Sequence, residues 1–511
     1  MFSSNAKCVL TFVCCSILLA ATNVPGQKKQ TAPKLNRRPN IIFILADDLG
    51  YGEVGVYGQQ KIKTPNLDRM AMEGMRLTQF YTGSPVCAPS RAIFLTGKHA
   101  GHAEVRDNKE YGGFADDEER GQAQLPNEPN IATWLKSLGY ATALVGKWGL
   151  GGPQTDSVPN NRGFDLFYGY LDQKQAHNYY PTHLWRNRTS EKLNNPYFSP
   201  HQKLRGNPND QHAYDQYKGN DYSIDMMTRE AVKFIGQNHE HPFFLYYAPT
   251  LPHLALQVPA SAVEQYKGKF PDTPYTNANG NGYLPNMTPR ATYAAMISYL
   301  DAQVGILLEE LKKQGLDKDT LVIFTSDNGT TYLKREVDYE FFNSVGNLRG
   351  LKEDVYEGGI REPFIARMPG TIPAGRTSDV IAATYDMWAT FADLLGAKRP
   401  AGTDGISILP ALAGMGKQTA REYLYWEFAA MGGQQAVRMG NWKGVRRNLN
   451  QGRIKTELYN LADDIGEKKD VAAENPKIVA KIERIMREAH TPSKEFPIKV
   501  LDDVKVVSSV R

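Results

Sequence analysis

The chain has 511 residues, long enough for one large domain plus a smaller one, with 41% hydrophobic and 23% charged residues, the balance of a soluble globular enzyme. A formal net charge of +5, without any basic run interleaved with aromatics, argues against nucleic acid as a partner.

Lys7 is followed by an apolar run from Cys8 to Ala21 and then by Thr22-Asn23-Val24-Pro25-Gly26. A cationic start, a short hydrophobic stretch and small residues predict a cleaved secretory signal over residues 1–26, and hence a periplasmic or secreted protein. The run is too short for a comfortable membrane span, and no later segment is expected to cross one. A lipoprotein anchor is disfavoured, because neither Cys14 nor Cys15 follows a Leu-small-small pattern. Cys8, Cys14 and Cys15 fall inside the signal, so the mature chain keeps only Cys87. One cysteine cannot form an intramolecular disulfide, and a free thiol in an oxidising compartment is a liability unless it is used or converted.

After a polar, basic lead-in, Asn40–Ala46 is a continuous apolar run rich in β-branched residues, which predicts a strand buried on both faces. Asp47-Asp48-Leu49-Gly50 ends it. Thr64-Pro65-Asn66 starts a helix through about Glu73, and Met75–Tyr81 reads as a strand. The stretch Ser84–His102 places Cys87 between prolines, with Ser90-Arg91 behind it and the apolar run Ala92–Leu95 leading to Thr96-Gly97. It reads as a short helix closed by glycine, with Cys87 at its start, where free N–H groups and Arg91 favour negative charge. Asn130–Leu138 is amphipathic and leads into a strand at Ala141–Val145. The long Tyr-, Asn-, Pro- and His-rich segment from Leu150 to about Asn220 reads as irregular chain lining a site. Helix Ser223–Asn238, strand Phe243–Ala248, helix Pro289–Gln314, strand Leu321–Ser326, strand Pro363–Met368 and helix Tyr385–Leu395 follow. This alternation predicts a mostly parallel sheet sandwiched by helices, an α/β domain over 27–398. From about Arg399, Glu422–Phe428, Ala436–Arg447 and Glu457–Asn460 look like short antiparallel strands, and Pro476–Glu488 like a terminal helix. A smaller α+β subdomain is therefore expected over 399–511.

Asp47-Asp48 and Asp327-Asn328 each follow a predicted buried strand, where parallel sheets collect ligands. Alone, either pair reads as turn chemistry. Together at one edge they would repel one another without a cation, and all-oxygen ligation selects Ca²⁺ or Mg²⁺ over zinc. Lys147 ends a predicted buried strand, Lys352 precedes Tyr356-Glu357-Gly358-Gly359, and His253 stands in Ala-Pro-Thr-Leu-Pro-His beyond the strand Phe243–Ala248.

Cys-x-Pro-Ser-Arg followed by Leu-Thr-Gly resembles the signature of the type I, formylglycine-dependent sulfatases. The resemblance extends along most of the chain through Asp47-Asp48, Gly146-Lys147-Trp148, Pro252-His253, Asp327-Asn328-Gly329 and Glu357-Gly358-Gly359. It implies an alkaline-phosphatase-like fold and oxidation of Cys87 to 3-oxoalanine (formylglycine) by a maturation enzyme. It also implies Ca²⁺, more than Mg²⁺, held by Asp47, Asp48, Asp327, Asn328 and the modified Cys87. Arg91, Lys147 and Lys352 would hold the hydrated aldehyde and sulfate, and His253 would serve the leaving alcohol. The segment Asp172–Tyr180 resembles a polysaccharide-directed bacterial branch, with His177 and Asn108 as expected substrate-binding residues. A sulfated sugar, galactose or N-acetylgalactosamine 4-sulfate, is the implied substrate.

The chain departs from the pattern at one position. Many sulfatases read Gly-Lys-Trp-His-Leu-Gly, and here Gly149 replaces the histidine that assists sulfate release. Either His99, His102, His177 or His183 substitutes for it, or a subset of the family manages without it. Two other readings stand beside hydrolysis of sulfate esters. One is a phosphatase or phosphonate-ester hydrolase on the same scaffold, and the other a secreted sulfated-glycan binder without turnover.

Overall fold

Alternation along β1 (Asn40–Ala46) builds two cores. Ile42, Ile44 and Ala46 enter one, and Ile41, Phe43 and Leu45 the other, because successive side chains of a strand leave opposite faces. Every residue of β1 is buried, as a continuous apolar run requires when helices cover both faces. The computed structural model describes Met1, residues 38–109 and residues 123–508. Apart from Met1, the predicted secretory signal lies outside the described residues. From Arg38 on, the described residues belong to one compact unit.

Among the described residues the main sheet has eleven strands. After β1 come β2 (Met75–Tyr81), β3 (Ala141–Lys147), β4 (Leu166–Tyr170), β5 (His183–Arg186) and β6 (Thr189–Lys192). The remainder are β7 (Phe243–Ala248), β8 (Thr320–Ser326), β9 (Arg361–Arg367), β10 (Arg376–Ser378) and β11 (Ala382–Ala383). The spatial order is β10-β2-β9-β8-β1-β7-β3-β4-β5-β6, with β11 also paired to β2. Strands β8, β1, β7, β3 and β4 are parallel neighbours, while β9 and β5 run against theirs. Helices Pro65–Met72, Ser223–Gln237 and Pro289–Lys313 cover one face. Helices Cys87–Thr96, Ile131–Ser137 and Met387–Leu394 cover the other. Pro289–Lys313 is long and apolar enough to cross a bilayer by those two measures, but Met296, Ile297, Leu300 and Val304 build it into the first core.

A second, four-stranded antiparallel sheet follows: β12 (Leu424–Phe428), β13 (Gln434–Met439), β14 (Trp442–Arg447) and β15 (Glu457–Asn460). Leu424, Trp426 and Phe428 pack beside Tyr81, Val86 and Ile93. Tyr425 takes the opposite face, against Ile482, Ile485 and Met486 of helix Pro476–Ala489.

Two expectations are corrected. The segment 150–220 is not merely irregular, because β4, β5 and β6 in it widen the main sheet. The β5–β6 hairpin turns at Asn187-Arg188, and β6 is exposed Thr-Ser-Glu-Lys, a composition with no apolar alternation to reveal it. Ala436–Arg447 is two strands of a hairpin that turns at Gly440-Asn441. The short helix expected in the Ser84–His102 stretch starts at Cys87 and is closed by Gly97, as its sequence implied. Pro89 is tolerated as its third residue, where a backbone N–H has no intrahelical partner.

Candidate active site

The parallel order delivers the carboxyl ends of β1, β3, β7 and β8 to one edge, where such sheets collect ligands. Asp47 and Asp48 follow β1, Lys147 is the last residue of β3, and Asp327 and Asn328 follow β8. His253 stands in the loop after β7, and Asp47 N–H donates to Leu251 O in that loop at 3.0 Å. Cys87 opens the helix Cys87–Thr96, a wholly buried helix that Gly97 closes. Asn108 supports that helix start, since its Oδ1 accepts from Ala88 N–H at 2.8 Å and so meets a donor that helix geometry leaves open.

These side chains converge on the thiol of Cys87. Its Sγ lies 3.4 Å from Asp47 Oδ1, 3.9 Å from Asp48 Oδ1 and 3.5 Å from Lys352 Nζ. Lys147 Nζ donates to Asp47 Oδ2 at 2.8 Å, and Lys352 Nζ donates to both Asp48 oxygens at 2.7 and 2.9 Å. Arg91 donates through Nε and Nη2 to Asp327 Oδ2 at 3.1 and 2.7 Å, with Asp47 Oδ2 3.4 Å from Nη2. Asp48 N–H donates to Asp327 Oδ1 at 3.1 Å, and Asn328 Nδ2 donates to Asp48 Oδ1 at 2.7 Å. His253 Nδ1 donates to Leu254 O at 2.5 Å, which leaves Nε2 facing Asp48 Oδ2 at 3.6 Å.

Burial sets the electrostatics. It pushes the Cys87 thiol well above its ordinary range, and Lys147 and Lys352 offset only part of that. The sulfur is therefore a thiol at neutral pH, not the thiolate a cysteine nucleophile requires. Burial alone would raise Asp47, but Lys147, His253, Arg91 and Lys352 hold it far below the usual carboxylate range. Asp327 is pushed up by burial and by the charge of Asp47, against the pull of Arg91. Burial lowers His253 to about 4, outweighing the attraction of Asp48, so its ring is neutral. Burial would lower Lys352 too, but Asp48 and Cys87 keep it well above its ordinary value.

The donor set fits a hard cation. Asn328 Oδ1 is fully buried and accepts no hydrogen bond, a cost a protein interior rarely tolerates without a partner. One ligand atom each from Asp47, Asp48, Cys87 and His253 lies within 4.8 Å of the others. With Asp327 the carboxylates and the Asn328 carbonyl form an all-oxygen group, the chemistry of Ca²⁺ or Mg²⁺.

His177 lies at this site, stacked on His253 with ring centroids 4.7 Å apart. Three of the histidines considered as substitutes lie elsewhere. His99 and His102 stack on each other, and His102 bonds Asp404 at 3.0 Å. His183 belongs to β5 and contacts Gln175 and Trp185. Gly149 has φ +70°, and a Cβ there would stand 2.7 Å from Gln173 Cγ. Gln173 thus fills that space, with Nε2 3.5 Å from Asn108 Oδ1. Sequence reasoning missed Gln173, His201 and Tyr283, which arrive from irregular segments where neither spacing nor periodicity marks them.

Comparison with known proteins gives a consistent picture. Residues 39–397 match the family model described as Sulfatase, and residues 351–491 match one described as N-sulphoglucosamine sulphohydrolase, C-terminal. The chain is similar to the N-acetylgalactosamine-6-sulfatase of Mus musculus, at 30% identity over 423 residues, covering 81% of this chain and 74% of that protein. Arylsulfatase A of Homo sapiens is 32% identical over 431 residues, covering 80% and 74%. Among solved structures, Ps i-CgsB in complex with k-i-k-neocarrahexaose aligns with a TM-score of 0.69 and 28% identity, over 88% of this chain and 92% of that one.

Proposed function

This chain belongs to the sulfatase family and hydrolyses sulfate esters, and on that premise we propose a sulfated carbohydrate as substrate, an aldehyde made from Cys87 as nucleophile and a bound calcium ion. The observation that carries this reading is the state of Cys87. Its thiol is buried among two carboxylates and an ammonium, where burial keeps it protonated. As a cysteine it is a poor nucleophile there, and an oxygen in its place would sit beside the same charges.

Hydrated formylglycine supplies two hydroxyls on one carbon, one to attack sulfur and a second whose proton loss expels sulfate. Asp47, Asp48, Asp327, Asn328 and the modified residue would hold the cation, which neutralises the carboxylates and withdraws charge from the reacting oxygens. Without it, Asp47, Asp48 and Asp327 are offset one for one by Lys147, Lys352 and Arg91. A divalent charge held there would make this balanced pocket attract an anion, and Lys147, Lys352 and Arg91 would share their donors with the sulfate oxygens. His253 is oriented by its Nδ1–H bond to Leu254 O, so Nε2 is the atom that carries a proton to the leaving alcohol. An arriving sulfate anion favours the charged imidazole that this task needs.

The sugar is proposed as a galactose or N-acetylgalactosamine sulfate. The name of the mouse relative and the carbohydrate bound to Ps i-CgsB support that class. The 4-position is our reading and the 6-position is the mouse relative's, so a panel should contain both. The enzyme is proposed to act in the periplasm or medium after cleavage of its signal, with a formylglycine-generating enzyme as its maturation partner.

The test is mass spectrometry of the tryptic peptide Leu77–Arg91 from protein made with that enzyme, followed by rates on aryl sulfate and aryl phosphate. Aldehyde in place of thiol, with sulfate the faster substrate, is expected. Unmodified Cys87 with no turnover would point to glycan binding without hydrolysis, and faster phosphate release to a phosphatase.

A further inference from the structure

Beside His253 lies a group of rings that the chemistry above leaves unused. His177 stacks face to face on His253 with an interplanar angle of 11°. Tyr283 meets His177 edge-on at 5.0 Å and lies 4.5 Å from the ring of His201. His177 Nδ1 is 3.1 Å from His201 Nε2, and His201 Nδ1 is 3.1 Å from Gly282 O.

With both rings neutral, these contacts fix where the protons sit. A carbonyl oxygen only accepts, so His201 Nδ1 must carry the hydrogen it gives to Gly282. Burial holds His201 below its ordinary pKa, so the ring is neutral and its Nε2 bears a lone pair. His177 Nδ1 must therefore be the donor between the two rings. Burial, with His253 and His201 beside it, keeps His177 neutral as well. A neutral imidazole with Nδ1 protonated has a bare lone pair on Nε2. Such an atom repels sulfate oxygens, which are acceptors too. It binds a hydroxyl.

We propose that His201 is a positioning residue that locks His177 in the Nδ1–H tautomer, so that His177 Nε2 accepts a hydrogen bond from a hydroxyl of the sugar that bears the sulfate. The inference rests on the carbohydrate reading given above and extends it to a recognition element. The backbone keeps this element registered with the chemistry, because Ala255 N–H donates to His177 O at 3.2 Å, two residues beyond His253. The lock explains why a second neutral histidine is stacked on the first. One imidazole serves the leaving oxygen, and the other reads the ring around it.

The test compares His201→Phe with His201→Gln in the matured full chain. Phenylalanine keeps the ring beside Tyr283 and removes both nitrogens, while glutamine returns an amide oxygen near the position of Nε2. Rates are measured on N-acetylgalactosamine 4-sulfate and 6-sulfate, and on 4-nitrophenyl sulfate, which offers no sugar hydroxyl. Losing one oriented polar contact predicts a fall of about 10- to 100-fold in kcat/KM for whichever sugar sulfate the wild type prefers. The aryl sulfate should change by no more than about twofold, and glutamine should restore most of the loss. Equal losses on both substrates, or none on either, overturn the proposal. Nitrogen-15 NMR of histidine-labelled protein gives a readout independent of turnover. His177, assigned by its loss in His177→Gln, should show a protonated Nδ1 in the wild type and a tautomer mixture in His201→Phe. A protonated Nε2 in the wild type refutes the lock. Absence of turnover on every sulfate, with aldehyde confirmed at Cys87, would count against the enzyme reading and leave the NMR result to decide this one.

Discussion

At the scale of single residues, Cys87 and Gly149 carry most of the consequence. Cys87 is bound only through weak sulfur contacts of 3.4 to 3.9 Å, so Cys87→Ala should shift stability by no more than about 1 kcal/mol. Turnover should vanish, and near-normal activity in that variant would sink the mechanism. Gly149 poses the opposite case. Restoring histidine there must place a side chain at φ +70° and drive Cβ to 2.7 Å from Gln173 Cγ. Gly149→His should therefore destabilise the protein by about 1–3 kcal/mol in chemical denaturation. Adding Gln173→Gly should recover the part due to the clash and leave the part due to backbone strain. If the double variant is no more stable than the single one, Gln173 does not own that space.

At the scale of elements, the helix Cys87–Thr96 is held at both ends. Asn108 meets one of its first donors, Ala88 N–H, and beyond Gly97 the chain is tied to Asp404, which accepts from His99 N–H at 2.8 Å. His99 is neutral in this setting, because burial lowers it to about 4, against the attraction of Asp404. A histidine whose folded pKa lies below its unfolded value takes up a proton more readily when unfolded. Its contribution is intact above about pH 6.5 and is lost as pH falls toward 4, at up to about 1.4 kcal/mol per pH unit between those limits. His99→Gln should flatten the pH dependence of stability across that window, measured by denaturant titration at each pH. An unchanged slope would mean that His99 titrates alike in the folded and unfolded protein.

At the scale of the whole molecule, the second sheet is tied to the segment that follows Lys352 by buried ion pairs. Lys443 of β14 is fully buried and donates to Glu357 Oε1 at 2.9 Å, with Glu467 Oε1 3.0 Å away. Glu357 in turn accepts from Tyr81 and Arg361, and it follows the loop that presents Lys352. Lys443→Met would leave Glu357 and Glu467 buried without their shared cation, at a cost of about 3–5 kcal/mol. Soluble yield and thermal midpoint should both fall. The proposed cation makes a second global prediction. Because the acidic and basic groups of the pocket already balance, chelation should lower the thermal midpoint without unfolding the protein at room temperature. Calcium at 100 times its dissociation constant should return about 2.7 kcal/mol. A midpoint indifferent to chelator and calcium would remove the metal from this account.

The linear chain determined what local pattern can encode. The unbroken apolar run of β1 required burial on both faces, and strand–helix alternation required a largely parallel sheet. That sheet in turn obliged Asp47-Asp48 and Asp327-Asn328 to meet at one edge. The run around Cys87 announced itself because its residues are consecutive. Only the tertiary structure decided what depends on contact between distant segments. His177 and His201 stand 24 positions apart, and nothing in either segment signals that one ring fixes the proton of the other. Asn108 faces Ala88 and Gln173 fills the space above Gly149 for the same reason. Periodicity and turn chemistry act between near neighbours along the chain, whereas packing brings together side chains that share no pattern until the backbone has closed around them.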